Sequence, residues 1–179
     1  MPSVANLVEN NRLIVWNTED GNSLYSDGYY GKPLGIPKPR EKFDTPLVLD
    51  AVEGLYLAEA GRLTVRDLDD KKISPKKLAE KFGEGIQGFE TRYRVYKDLR
   101  TRGLVATPGI KYGCDFAVYE RGPGIEHAPY IVQVWYGGAC IEAAEIIKAG
   151  RLATTVRKSF MLAVVGEEIV YLMFDWWKA

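Results

Sequence analysis

Residues 104–136 read LVATPGIKYGCDFAVYERGPGIEHAPYIVQVWY, and this stretch carries the clearest fold signal of the chain. Apolar and polar residues alternate along it, which is typical of strands with one buried face. Pro108-Gly109 and Gly122-Pro123 interrupt the alternation, so we expect turns at both places. The sequence therefore predicts several strands joined by turns.

Helical spacing flanks these strands on both sides. The segment GFETRYRVYKDLRTRG, residues 88–103, repeats aromatic and aliphatic residues every three or four positions, with basic residues on the opposite side. Residues 140–160 return to helical spacing, and residues 160–177 indicate two apolar strands around Gly166. This order of helix, strands, helix and strands predicts an α/β domain over residues 88–179.

The first half of the chain mixes helix and strand signals. Residues 11–17, NRLIVWN, predict a strand, and residues 18–43 are rich in turn-forming residues and predict hairpin turns and an ordered loop. A helix is expected from an N-cap at Asp44 or Thr45, with Pro46 in its first turn, to Gly61. A short second helix starts at the N-cap Ser74 and ends near Gly83. We predict a small mixed α/β domain over residues 1–85, so the fold class is α/β (α+β) with two domains.

Composition limits the function classes. The 179 residues are 46% hydrophobic and carry 24 basic and 24 acidic side chains, so the overall charge gives no reason to expect a nucleic-acid partner. Locally, the segment from Arg92 to Arg121 holds 7 basic against 3 acidic residues. That segment presents either a face that attracts a polyanion or an ordinary solvated helix face.

Targeting and cysteine patterns indicate an intracellular protein without a metal. The longest apolar runs are too short to span a membrane, and no signal-peptide pattern opens the chain, so a cytoplasmic location is expected. Cys114 and Cys140 are far apart, and a single histidine accompanies them, which argues against structural zinc. We expect both to be buried small hydrophobic residues, with a disulfide left open, and we expect no cofactor.

The single histidine, His127, follows a glycine-proline turn. An isolated histidine after a turn is more often a surface or hydrogen-bonded residue than a catalyst. Two other residues favour a catalytic role for His127, because Tyr119 precedes the turn and Lys158 follows the later helix. A phenol, an imidazole and an ammonium group suit phosphoryl transfer without a metal: a base at the nucleophile, an acid at the leaving oxygen and a cation beside the phosphorane.

Two motifs then identify a family. The stretch GIKYGCDFAVYERGPGIEHAPYIV, residues 109–132, followed by VRKSF, residues 156–160, closely resembles the C-terminal catalytic domain of archaeal tRNA-splicing endonucleases. The family pattern is Gly-x-Lys-Tyr/Phe-Gly-x-Asp-Phe-x-Val-Tyr, a Gly-Pro turn, His-x-x-Tyr and a distant Val-Arg-Lys. Residues 49–63, LDAVEGLYLAEAGRL, resemble the N-terminal domain of the same family.

The resemblance implies a restriction-endonuclease-like catalytic domain that cuts precursor tRNA at exon–intron junctions within a bulge-helix-bulge RNA. The expected products carry a 2′,3′-cyclic phosphate and a 5′-hydroxyl. By the same resemblance Tyr119 is the general base, His127 the general acid and Lys158 the stabiliser of the charged transition state. Whether Tyr119 removes the proton or orients the 2′-hydroxyl stays open, because an ordinary phenol is protonated at neutral pH.

The family also sandwiches a flipped bulge base between two cationic or aromatic side chains. Arg151 matches the first member of this pair, and Trp176 is our choice for the second over Trp177. Either side chain type stacks well on a base. The alternative is that both tryptophans anchor a core or a subunit interface.

Two rival functions remain. A noncatalytic RNA-binding or assembly subunit of such a complex lacks the full trio, whereas a metal-dependent nuclease of related fold needs an Asp followed by Glu/Gln-x-Lys on the next strand. Asp115 suits the latter, but Gln133 is followed two positions later by Trp135, so we expect Asp115 to accept backbone hydrogen bonds. We expect a heterotetramer with a structural paralogue, with a homotetramer as the alternative, because the apolar terminal strand needs a partner.

Overall fold

A computed structural model describes residues 1–37, 39, 41–136, 138, 140–155 and 157–174 of the chain. The chain divides into two units, Met1–Glu90 and Thr91–Ala179. Each unit contains a mixed β-sheet accompanied by helices. The predicted α/β fold class is therefore confirmed.

The first unit is built on a mixed sheet. Its elements in chain order are β1 Ser3–Val8, β2 Arg12–Val15, α1 Thr18–Gly28, β3 Lys32–Pro33, β4 Leu47–Leu49, α2 Ala51–Glu59, β5 Leu63–Arg66, β6 Lys72–Ile73 and α3 Pro75–Gly85. The strand order is β3-β4-β2-β1-β5-β6, with β1 and β5 parallel and the other neighbours antiparallel.

Two predictions for this unit are wrong. The segment predicted as turns and loop contains α1, whose N-cap Asn17 accepts a hydrogen bond from the backbone of Asp20. The helix predicted from Asp44 or Thr45 begins only after Asp50, because residues 47–49 pair with β2 and β3 as a short strand. The predicted helix with Ser74 as its N-cap is confirmed as α3.

A buried carboxylate holds the start of α2. Glu53 is 1% exposed, and its side chain accepts hydrogen bonds from the backbone N–H groups of Asp50 and Gly31, at 2.8 and 3.0 Å. Asp50 in turn caps the helix and pairs with Arg12 at 2.9 Å. These contacts satisfy backbone donors that a buried helix end would otherwise leave without partners.

The second unit carries the motifs of the family resemblance. Its elements are α4 Phe89–Thr101, whose first two residues belong to the first unit, β7 Val105–Pro108, β8 Phe116–Tyr119, β9 Tyr130–Tyr136, α5 Ala143–Thr155, β10 Ser159–Val165 and β11 Ile169–Phe174. The strand order is β11-β10-β9-β8-β7, with β9 and β10 parallel and the other neighbours antiparallel. The predicted order of helix, strands, helix and strands is confirmed.

Helix α4 packs through its aromatic side and uses its basic side for internal contacts. Arg92 pairs with Asp115 at 3.0 Å, and Arg94 donates to the backbone carbonyls of Gly166 and Glu167 in the turn between β10 and β11. Arg102 pairs with Asp98 one turn earlier, at 2.7 Å. These three guanidinium groups therefore stabilise the fold of the second unit, which the charge count alone did not predict.

The cysteines differ from the prediction. Both are free thiols, Cys114 is half-buried, and Cys140 is exposed. Burial, with the charge of Asp115 adding to it, raises the pKa of the Cys114 thiol to about 11. The expectation of two buried cysteines is therefore wrong for Cys140. In the described part of the chain, no helix is both long and apolar enough to pass through a membrane.

Candidate active site

Tyr119, His127 and Lys158 are placed at one edge of the second sheet. Tyr119 is the last residue of β8, His127 lies in the loop before β9, and Lys158 immediately precedes β10. Because β8 runs antiparallel to β9 while β9 and β10 run parallel, the end of β8 lies beside the beginnings of β9 and β10. The topology brings the three sequence-predicted residues to the same edge.

The loop between β8 and β9 is fixed by Glu126, the residue before His127. The Glu126 carboxylate accepts a hydrogen bond from the backbone N–H of Arg121 at 2.6 Å and lies 3.5 Å from the Arg121 guanidinium. This hydrogen bond is the main cause of the lowered pKa of Glu126. Gly122 and Gly124 have φ values of 124° and 94°, which glycine adopts without strain. The loop thus holds a defined shape with the His127 side chain exposed to solvent.

Lys158 is tied to the same loop from the other side. Helix α5 ends at Thr155, Arg157 adopts a left-handed conformation with φ 55°, and the chain then enters β10. The backbone N–H of Ser159 donates to the carbonyl of Pro129 at 2.9 Å. The Lys158 ammonium group donates to the carbonyl of Ala128, the residue after His127. The cation is therefore positioned by a direct contact with the loop that carries the histidine.

Tyr119 is half-buried at the end of β8. Burial raises the pKa of its phenol, with further contributions from Tyr112 and Glu126, whereas hydrogen bonding with the side chain of Thr107 opposes the shift. A positive charge close to a phenol would lower its pKa, so the observed shift of the Tyr119 pKa runs in the opposite direction. In the protein alone, the Tyr119 hydroxyl therefore holds its proton more firmly than a free phenol does.

A second lysine and a second tyrosine adjoin this edge. Lys111 and Tyr112 belong to a short 3-10 turn between β7 and β8, residues Ile110–Tyr112. The ammonium nitrogens of Lys158 and Lys111 lie 5.1 and 6.0 Å from the centroid of the Tyr112 ring. Burial lowers the pKa of the Lys158 ammonium, and the positive charge of Lys111 lowers it further. The edge therefore concentrates positive charge around the Tyr112 ring.

Asp115 is bound on both oxygens by protein groups. One carboxylate oxygen pairs with Arg92 at 3.0 Å, while the other accepts from Gln133 at 2.7 Å and from the backbone N–H of Val134 at 2.8 Å. The prediction that Asp115 accepts a backbone hydrogen bond is confirmed. Among the described residues, no group of three or more His, Cys, Asp or Glu is arranged to hold a metal ion.

The two residues predicted to contact RNA stand differently. Arg151 lies in the last part of α5 with its residue exposed, and its backbone carbonyl accepts a hydrogen bond from Thr155. The structure gives this guanidinium no contact with Tyr119, His127 or Lys158 within the described residues. Trp176 and Trp177 lie outside the described residues.

Sequence reasoning missed Tyr112 and Glu126. Both lie within the motif, but the sequence alone assigns neither of them a role, because a tyrosine after a turn and a glutamate before a histidine have many structural uses. The usable signal for Tyr112 was its position in the glycine-bracketed stretch GIKYG, residues 109–113, which predicts a tight turn. A single sequence does not show that this turn brings the Tyr112 ring close to Lys158.

Comparison with protein families assigns both halves of the chain. Residues 89–171 match the model of the tRNA intron endonuclease catalytic C-terminal domain, and residues 4–79 match that of the tRNA intron endonuclease N-terminal domain. The first match includes β7 to β10 and the edge that carries Tyr119, His127 and Lys158. The second includes the sheet of the first unit.

Whole-chain relatives agree with these models. A tRNA-splicing endonuclease of Hyperthermus butylicus is 49% identical, covering 93% of this chain and 94% of the relative. Enzymes of the same name from Saccharolobus islandicus and Saccharolobus solfataricus are 39% and 40% identical, each covering 96% of this chain and 97% of the relative. The chain belongs to the tRNA-splicing endonuclease family.

Proposed function

We propose that the chain is a catalytic subunit of a tRNA-splicing endonuclease that cleaves precursor tRNA at exon–intron junctions in a bulge-helix-bulge RNA. The observation that carries the proposal is the bond from the Lys158 ammonium to the carbonyl next to His127. It joins the proposed cation to the loop of the proposed acid, at the edge where β8 ends with Tyr119. Family membership supports the tRNA substrate.

The proposed reaction needs no metal. The ribose 2′-oxygen forms a bond to the adjacent phosphorus and loses its proton, while the bond from phosphorus to the 5′-oxygen breaks and that oxygen gains a proton. The products are a 2′,3′-cyclic phosphate and a 5′-hydroxyl. Because the nucleophile belongs to the RNA, the protein need only manage two protons and the charge on the phosphorane.

Tyr119 is proposed to act on the 2′-hydroxyl. Its raised pKa supports a neutral phenol that orients this hydroxyl by hydrogen bonding, with a phosphate oxygen or water accepting the proton. The alternative inherited from the family resemblance is a phenolate base. That role requires bound RNA to lower the pKa of Tyr119, since the protein alone raises it.

His127 and Lys158 are proposed to serve the leaving side of the reaction. An exposed imidazole on a fixed loop can reach a bound RNA and give a proton to the departing 5′-oxygen. The Lys158 ammonium, held on the same loop, stabilises the developing negative charge on the phosphorane.

RNA binding and assembly extend the proposal. We propose that Arg151 and Trp176 stack on either side of a flipped bulge base. The expected substrate is precursor tRNA, and the proposed location of the reaction is the cytoplasm.

The edge strand β11 exposes Val170, Leu172 and Met173, which are 52%, 45% and 56% exposed. An exposed apolar edge strand favours association, so we propose a heterotetramer of two such chains with two structural paralogues. A homotetramer would be found instead if the chain alone were active.

The test is cleavage of a bulge-helix-bulge RNA in excess EDTA, with and without a paralogous subunit. A matched RNA carries one 2′-deoxynucleotide at the cleaved junction. We expect cyclic-phosphate ends from the first RNA and no cleavage of the second at that junction. Cleavage that requires Mg²⁺, or that proceeds at the deoxy junction, would support the metal-dependent rival.

The same assay separates a catalytic from a noncatalytic chain. Tyr119→Phe is compared with Tyr136→Phe, which makes the same change away from the candidate site. Tyr136 ends the seven-residue strand β9, roughly 20 Å from Tyr130, which begins β9 at the edge that carries the site. We expect cleavage to fall only in Tyr119→Phe. If neither change affects cleavage by the assembled complex, the chain is a noncatalytic subunit.

A further inference from the structure

Tyr112 is the residue that joins the elements of the edge. Its half-buried ring packs against the apolar cluster of Ile131, Phe160 and Leu162 on the sheet. The same ring lies 5.1 Å from the Lys158 ammonium nitrogen, measured to the ring centroid. This distance is within the ~6 Å range of a cation–π interaction. The ring therefore touches both the sheet and the proposed catalytic cation.

The turn that carries Tyr112 is closely constrained. The Tyr112 N–H donates to the carbonyl of Gly109 at 2.8 Å, and Gly113 follows with φ 64°. A Cβ atom added to Gly109 would lie 2.6 Å from the sulfur of Cys114 and 2.7 Å from its carbonyl oxygen. Glycine is required at this close approach, so the turn holds the ring in one place relative to the sheet.

Lys158 has few other groups to hold it. Among the described residues its ammonium group has one hydrogen-bond acceptor, the Ala128 carbonyl, and one aromatic ring within cation–π distance, that of Tyr112, and no carboxylate pairs with it. A lysine side chain has several rotatable bonds, so a single hydrogen bond leaves the ammonium group poorly confined. An aromatic face on a rigid turn supplies the second constraint without neutralising the charge.

We propose that Tyr112 is a positioning residue: its ring holds the Lys158 ammonium group against the His127 loop in the orientation that meets the phosphorane. The inference rests on the proposed function of Lys158. It assigns the effect to the ring face, since the measured contact is to the ring. Phenylalanine at this position therefore preserves the effect, and an aliphatic residue removes it.

The experiment measures single-turnover cleavage of the bulge-helix-bulge RNA by the full complex. Five chains are compared: native, Tyr112→Leu, Tyr112→Phe, Lys158→Ala and the double variant Tyr112→Leu with Lys158→Ala. We expect Tyr112→Leu to lower the rate by about 10-fold, from the loss of one cation–π contact. Tyr112→Phe should retain the native rate, and the double variant should match Lys158→Ala.

The double variant distinguishes positioning from a general structural effect. A tyrosine that only stabilises the fold would lower the rate in the Lys158→Ala background as well, whereas a residue that acts through Lys158 cannot. Tyr136→Leu is the matched control, because it removes an aromatic ring at the far end of β9. Thermal unfolding is measured for every chain, and Tyr112→Met replaces the leucine variant if that variant does not fold.

Three outcomes would overturn the inference in separable ways. Native cleavage by Tyr112→Leu alongside slow cleavage by Lys158→Ala rejects the positioning role and leaves the proposed function intact. A further drop in the double variant rejects action through Lys158. Native cleavage by Lys158→Ala rejects the proposed role of Lys158 and, with it, the role of Tyr112.

Discussion

Positive charge serves different ends on helix α4 and at the edge where β8 ends. On α4, Arg92 and Arg102 pair with carboxylates, and Arg94 holds two carbonyls of a turn. At the edge, Lys158 and Lys111 approach one aromatic ring, and among the described residues neither pairs with a carboxylate. Two like charges brought together without a counter-charge cost energy unless an anion arrives. The number of basic residues alone therefore does not locate an RNA-binding surface.

The largest effect that this comparison predicts is the loss of cleavage in Lys158→Ala. We expect the cleavage rate constant to fall by a factor on the order of 10²–10³, because a preorganised charge at the phosphorane is removed. The free energy of unfolding should change by about 1 kcal/mol or less, since only one hydrogen bond and one ring contact are lost. Single-turnover kinetics and urea unfolding measure the two quantities.

Arg92→Ala is the matched change on α4. It should lower the free energy of unfolding more than Lys158→Ala does and leave the cleavage rate per folded molecule close to the native rate. If it lowers cleavage per folded molecule as strongly as Lys158→Ala does, the division between structural and functional cations is wrong.

The second prediction concerns the partner of Arg92. Asp115→Asn removes the negative charge that pairs with Arg92 and also weakens the two hydrogen bonds that Asp115 accepts from Gln133 and Val134. We therefore expect the free energy of unfolding to fall by about 2 kcal/mol. Cleavage by the folded fraction should stay at the native rate in EDTA. No cleavage by the native chain in EDTA, together with a collapse of cleavage by Asp115→Asn in Mg²⁺ without a loss of stability, would instead indicate that Asp115 holds a metal ion.

A smaller effect is expected from Arg94→Ala. The guanidinium donates to the carbonyls of Gly166 and Glu167, at 3.1 and 3.0 Å, from an exposed position. We expect the free energy of unfolding to fall by about 1 kcal/mol, because water can replace much of what is lost. Urea unfolding of the variant measures this, with Lys97→Ala on the same helix as a comparison. Unchanged stability would remove Arg94 from the group of structural cations.

The smallest effect is an alkaline one at Cys114. Burial disfavours the thiolate and raises the pKa of this thiol from its ordinary value of 9.0 to about 11 in the folded chain. The neutral thiol is favoured by the folded chain, so the resulting contribution to stability is fully present below pH 9.0. The contribution is lost as the pH rises through about 11. The stability difference between the native chain and Cys114→Ser should therefore shift against the native chain over this range. A constant difference would contradict the assigned burial.

The predictability of the fold from sequence depended on which local signals were unambiguous. Ser74 followed by Pro75 marked α3 correctly, because capping and fixed φ act within one turn. Asp44 and Pro46 gave a similar signal, yet residues 47–49 form a strand, because pairing with β2 and β3 outweighed the local preference. Local chemistry located helices, and tertiary pairing moved one boundary.

Helix α1 was missed for a related reason. Its glycines and aspartates favour turns in isolation, but Gly21 allows close packing, since a Cβ added there would lie 3.1 Å from the Cβ of Leu47. The helix thus depends on a contact with a residue distant in the sequence. Single-sequence reasoning has no access to such contacts.

The candidate site followed the same division. Tyr119, His127 and Lys158 were selected from motif order and chemistry, and the strand order then brought all three to one edge. Their supports were not predicted, because the Ala128 carbonyl and the Tyr112 ring are defined by how two loops fold back. Sequence therefore indicated the proposed reacting groups, whereas the structure supplied the contacts that hold them.

The most direct test of the central claim is the cleavage of a bulge-helix-bulge RNA in excess EDTA by the assembled complex containing His127→Ala. We predict a rate lower by a factor on the order of 10²–10⁴, the usual contribution of general acid catalysis. Thermal stability should be unchanged, because the side chain is exposed. An RNA with a 5′-thio leaving group, which needs no proton, should restore much of the rate. Native cleavage by His127→Ala would contradict the account.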